Sequence, residues 1–191
     1  MIWLYVVFSY LFGNIMFGYL VTKALFHKDI RLHGSGNVGA RNAGRLYGKI
    51  AFIAIFFGDA LKGVSVILIG RYLHFPEYVQ LIGLGIAILG HIKPVTLKFK
   101  GGKGISTFIG GMICFEPLLI PVILLAFFGL YPFTKSFTFS GLGAFLFIPF
   151  FLFFKHYHWL TCVIELAVIG GIFLAHSENI KERLKNHRQS L

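Results

Sequence analysis

Long apolar runs separated by short polar stretches set the pattern of this chain. Residues 1–22, 50–72, 139–154 and 159–175 each read as a helical span, and 78–90 as a shorter one that continues into the polar segment after it. About 20 residues of helix cross a hydrocarbon core of roughly 30 Å. Residues 105–131 pose a choice. Their length suits one tilted span, yet Glu116-Pro117 falls near the middle. Proline removes a backbone donor and collides with the preceding turn. Two short helices joined by a turn at Glu116 are therefore the rival reading.

Composition turns this pattern into a class. Of 191 residues, 57% are apolar and 13% charged, against about a quarter charged in a soluble domain. The 23 phenylalanines fit a lipid-facing surface. The chain reads as one membrane-integral domain over residues 1–191, with no room for a second sizeable one. Its first apolar run is too long, and lacks the cationic start, for a cleaved signal. Cys114 and Cys162 lie in apolar segments and read as buried thiols, with neither a disulfide nor a metal site implied.

The net charge of +11 raises nucleic acid as a partner, but the cations cluster in loops between spans, which argues against it. With the turn at Glu116, loops 23–49, 91–104 and 131–138 and the tail 176–191 share one side. That side carries 15 of the 18 Lys and Arg. The positive-inside tendency then favours an all-α bundle of seven transmembrane helices, N-terminus outside and C-terminus cytoplasmic. Three polar segments meet on the cytoplasmic face.

The first is GSGNVGARNAGR, residues 34–45. It contains the G-x-G-x-x-G spacing of a dinucleotide fold, with Asp59 twenty residues on, but no strand precedes it and Asp59 lies in a span. A flexible connector is the plain alternative. Successive N–H groups can instead form an anion-binding nest, and Arg45 adds a bidentate donor. The second, GHIKPVTLKFKGGKGIST over residues 90–107, resembles a phosphate loop. Leu97 stands where a Walker A glycine belongs, so it is not one. Its glycines, Lys103 and a helix starting near Ile105 still suit an anion. Lys93 and Lys98 are equally explained by lipid headgroups. In the third, helical spacing puts His176 and Asn179 on one face. Within the spans, Asp59 and Lys62 read as an ion pair, and these two with Glu165 as structural.

Together these segments resemble the bacterial acyl-phosphate:glycerol-3-phosphate acyltransferase family. Residues 35–45 match a pattern like SGNxGAxNxxR, residues 90–107 one like GHxxPxxLxFKGGKGxxT, and residues 176–180 the start of HxxNIxRL. Val38 stands where the family often has proline, and Arg41 where it often has threonine. Arg183-Leu184 arrive one position late, and Lys185-Asn186-His187 replace the common Gly-x-Glu ending.

The resemblance implies transfer of a fatty acyl group from acyl phosphate to the 1-hydroxyl of glycerol 3-phosphate. The products are lysophosphatidic acid and inorganic phosphate. It implies seven spans in the bacterial inner membrane, an active site on the cytoplasmic face and no cofactor or metal. The expected partners are the two phosphorylated substrates and membrane lipids. Acyl phosphate is an activated donor, so positioning and charge neutralisation carry the reaction. Arg45 and Lys103 are expected to hold the glycerol phosphate, with Gly36, Asn37, Asn42, Lys100, Gly101, Gly102 and Gly104 around the substrates and Ser140 a weaker contact. Ser35, His176 and Asn179 are expected to orient the reacting groups or stabilise the oxyanion. Either His176 or a substrate phosphate oxygen takes the proton. The acyl chain is expected between spans, at the lipid boundary. Acyl-CoA-dependent enzymes carry His-x-x-x-x-Asp, and no histidine here has Asp five residues on. A transporter for a phosphorylated metabolite is the rival class, although its ligand belongs near the midplane.

Overall fold

Helices supply every α or β element among residues 1–189, the residues described by the computed structural model. Four stretches are long and apolar enough to cross a membrane: Ile2–Phe26, Lys49–Tyr72, Glu77–Leu97 and Phe137–Phe154. Ile105–Phe115, Leu119–Thr134 and Trp159–Ala175 are shorter apolar helices. In chain order the α-helices are α1 (Ile2–Gly13), α2 (Phe17–Phe26), α3 (Ala40–Tyr47), α4 (Lys49–Tyr72), α5 (Glu77–Ile92), α6 (Ile105–Phe115), α7 (Leu119–Thr134), α8 (Phe137–Phe145), α9 (Phe147–Phe154), α10 (Trp159–Ala175) and α11 (Ser177–Gln189).

The first apolar run is not one continuous helix. It breaks between Gly13 and Phe17, and buried polar groups take up the freed backbone. Lys62 Nζ donates to Gly13 O at 3.2 Å and Ile15 O at 2.7 Å. Asn14 Oδ1 accepts from Val95 N at 2.6 Å. A broken helix survives at membrane depth only when protein groups satisfy its carbonyls in this way. Lys62 also lies 2.9 Å from Asp59 Oδ1, so the expected pair forms, fully buried. Residues 139–154 likewise divide at Leu146, three residues before Pro149, which cannot donate to the preceding turn.

Residues 105–131 form two helices, with the break at Glu116. Glu116 Oε1 accepts from Leu118 N at 3.1 Å, and Tyr157 Oη donates to Glu116 Oε2 at 2.9 Å. Arg71 donates to the last carbonyls of α6, Cys114 O and Phe115 O, both at 3.1 Å. A cation at a helix C-terminus also favours the helix dipole. Against expectation, both cysteines are only half-buried; they are free thiols. Glu165 is buried with no hydrogen-bond partner for either carboxylate oxygen.

The core gathers Ile67, Leu84, Phe108, Met112, Phe145, Ile148 and Ile172 from six helices. Its tightest seam joins α4 to α6. A Cβ on Gly63 would stand 2.0 Å from Thr107 O, and one on Gly110 2.3 Å from Ala60 O. Small residues that let backbones touch are how membrane helices gain packing where water supplies no driving force.

Candidate active site

The polar segments meet around a cavity of about 860 Å³, within the roughly 300–1,000 Å³ of ligand sites. Ser35, Gly36 and Asn37 line it from the loop before α3. Asn42, 5% exposed, ties that loop together. Its Oδ1 accepts from Ser35 N at 3.1 Å, and its Nδ2 donates to His33 O at 3.1 Å and Asn37 O at 3.0 Å. Asn37 Oδ1 accepts from Gly39 N at 3.0 Å, and Gly36 N donates to His33 O at 3.1 Å. Two expectations change here. Residues 34–45 are not one loop, because Asn42 and Arg45 belong to α3. The amides of Ser35, Gly36 and Gly39 are already engaged within the protein, so they are not free to form the nest that the sequence suggests.

The second loop contributes Lys100, Gly101, Gly102 and Lys103 to the same cavity. Lys98 and Phe99 precede it in the left-handed region, at φ 55° and 61°. Side chains there store strain, a recurring mark of functional sites. The glycines allow close approach to α5. Gly102 N donates to His91 O at 3.0 Å, and a Cβ on Gly102 would stand 2.1 Å from His91 Nε2. His91 Nδ1 in turn lies 2.9 Å from Lys62 Nζ. The loop therefore rests on the buried Asp59–Lys62 pair through His91. Gly104 lies beyond the lining residues and caps α6 at φ 82°.

Lys103 donates to Asn179 Oδ1, which joins the loop to the first turn of α11. His176 ends α10, next to Ala175 of the cavity wall, and is 4% exposed. Its Nδ1 lies 2.9 Å from Ile172 O. A carbonyl only accepts, so Nδ1 carries the hydrogen and Nε2 keeps the lone pair. Burial lowers the His176 pKa, the Ile172 bond opposes, and the charges of Lys103 and Arg41 lower it further. Burial and Arg41 also lower the Lys103 pKa, against Glu178 and Glu182.

Arg45 and Ser140, like Asn42, Gly104, His176 and Asn179, are not among the residues that line the cavity. Arg45 lies on a neighbouring cleft of about 450 Å³ with Arg41, Lys49, Phe52 and Ile53. Ser140 is fully buried and shares a hydrogen bond of 2.6 Å with Thr134 Oγ1. The side chain of Arg183 lies outside the described residues. Sequence reasoning missed Arg41, which donates to Thr138 at the start of α8. Its position one helical turn before Arg45 was the available signal. His91 was matched within a motif but given no role, and nothing local points to its seat under Gly102.

Below the polar rim the cavity becomes an apolar groove. Ile82, Ile86, Leu89 and Ile92 of α5 face Ile164, Val168, Gly171 and Leu174 of α10. Ten residue steps along each helix, Ile82 to Ile92 and Ile164 to Leu174, give it a length of about 15 Å.

These features define an all-α integral membrane protein with a cationic pocket at the mouth of an apolar groove. The glycerol-3-phosphate acyltransferase family profile matches residues 3–186, and the chain belongs to that family and is an enzyme of that activity. Glycerol-3-phosphate acyltransferase 1 of Bacillus thuringiensis subsp. konkukian is 44% identical over 175 residues, covering 92% of this chain and 96% of the relative. Two solved structures of PlsY (YgiH), an integral membrane glycerol 3-phosphate acyltransferase, share the fold. The glycerol 3-phosphate form gives a TM-score of 0.86 at 31% identity, and the lysophosphatidic acid form 0.85 at 29%. Each covers 97% of this chain, which spans 92% of the solved one.

Proposed function

We propose that this chain moves a fatty acyl group from acyl phosphate to the 1-hydroxyl of glycerol 3-phosphate, releasing lysophosphatidic acid and inorganic phosphate. The reading takes residues 1–191 as one domain of the bacterial inner membrane. It has seven crossings, the N-terminus outside, and its site on the cytoplasmic face with the C-terminus. The observation that carries the chemistry is the junction of Lys100 and Lys103 with the α5–α10 groove. One cavity thereby suits both a phosphate group and an acyl chain. Relatives solved with glycerol 3-phosphate and with lysophosphatidic acid support the same assignment.

The hydroxyl oxygen attacks the carbonyl carbon of acyl phosphate, and a C–O bond forms as the carbonyl oxygen becomes an oxyanion. The tetrahedral species collapses by breaking the bond to the phosphate oxygen. The hydroxyl proton leaves to Nε2 of His176 or to a phosphate oxygen. The lone pair on His176 Nε2 favours the histidine route. Lys103, held by Asn179, anchors the glycerol phosphate, and Lys100 adds a second charge beside it. Arg45 approaches from the neighbouring cleft. The Ser35 hydroxyl and the Asn179 amide orient the reacting groups, where one oxyanion donor is worth about 2.7–4 kcal/mol. Gly36, Gly101 and Gly102 leave the pocket open, Asn37 and Asn42 fix its loop, Gly104 starts α6, and Ser140 stiffens the edge of α8.

The test is direct. Protein purified in detergent is given palmitoyl phosphate and labelled glycerol 3-phosphate. One lysophosphatidic acid per inorganic phosphate is expected. Product formed from acyl-CoA but not from acyl phosphate overturns the donor assignment.

A further inference from the structure

We infer that Arg41 is a phosphate-binding residue of this site, adding a cation from α3 to those of the glycine-rich loop. This deepens the acyl-transfer reading above. Arg41 sits in the first turn of α3, two residues after the loop that lines the cavity. Its guanidinium donates to Thr138 Oγ1, two residues before Ser140. α3 packs on α2 and α4, whereas α8 packs on α7 and α9. The Arg41–Thr138 bond thus joins α3 to α8, and Arg41 lines the smaller cleft with Arg45 and Lys49.

The charges around it have a direction. Arg41 acts on Lys103 of the loop, on His176 at the end of α10 and on Arg45 of its own helix. Glu178 and Glu182 of α11 face Lys103. No ion pair to a carboxylate forms at Arg41 among the described residues. One donor of the guanidinium is committed to Thr138, and the planar fork keeps others for a phosphate oxygen. Cations gathered against mutual repulsion make an anion site, and both proposed substrates supply that anion.

The experiment compares wild type with Arg41→Gln and Arg41→Lys in detergent, titrating glycerol 3-phosphate, palmitoyl phosphate and inorganic phosphate by calorimetry. Binding is read without turnover, so failure of the acyl-transfer reading leaves this test intact. Arg41→Gln is expected to weaken inorganic phosphate and one of the two substrates about tenfold or more. The substrate that weakens identifies whose phosphate Arg41 holds. Arg41→Lys keeps the charge and recovers part of the loss. The acid limb of turnover should also move to higher pH in Arg41→Gln, because His176 loses a neighbouring cation. Affinities within threefold of wild type for all three ligands overturn the inference. So does a lowered thermal unfolding midpoint with affinities and pH limb unchanged, which leaves Arg41 only a strut.

Discussion

At the scale of single residues, the acyl-transfer reading with His176 as base needs its imidazole neutral. Burial, Lys103 and Arg41 together outweigh the Ile172 carbonyl and lower its pKa. A group with a lowered pKa charges only at more acid pH. Turnover is therefore expected to hold through the ordinary histidine value of about 6.5 and to fail below it. His176→Ala should lose roughly 10²–10⁴-fold in kcat with the fold intact. A kcat near that of wild type assigns the proton to a substrate phosphate instead. The placement of Lys103 beside Asn179 and of Ser35 at the cavity was legible in the sequence because the motifs hold these side chains at fixed spacings. Asn42 was legible as a polar residue of the site, but its work is internal, since three hydrogen bonds commit it to its own loop. A sequence does not distinguish an amide that touches a ligand from one that shapes the loop around it.

At the scale of elements, breaks in helices were legible only where their cause is local. Glu116-Pro117 announces its turn because proline acts on its own helix. The break between Gly13 and Phe17 depends on Lys62, nearly fifty residues away, and on Val95 further still. No window on the first apolar run contains either group. The α5–α10 groove is a similar case, built from two helices whose sequences look uniformly apolar. Gly171 lines it, and a Cβ there would meet nothing within 4 Å. Gly171→Leu should fill the groove and favour shorter acyl phosphates. Loss of two or three methylene contacts costs about 2 kcal/mol, so kcat/KM for palmitoyl phosphate should fall about 30-fold relative to octanoyl phosphate. An unchanged ratio places the chain elsewhere.

At the scale of the whole molecule, charge asymmetry and the Glu116 break together support seven crossings. Reporters fused to the two ends should then lie on opposite sides of the membrane, the C-terminal one in the cytoplasm. Both on one side overturns the topology. Cationic loops, apolar walls below them and small-residue seams between helices are consistent with each other, so the all-α membrane architecture was readable before any contact was known. The groove carries a last consequence. Leu89 and Leu174 on its walls are 48% and 76% exposed, so the groove is open rather than enclosed. On the acyl-transfer reading, a lipid tail enters and leaves sideways and never meets water. Encounter with the donor becomes a two-dimensional event, governed by how densely a leaflet is populated with that lipid. The catalyst then responds to molecules per unit area, and its product is delivered into the very sheet it helps to enlarge.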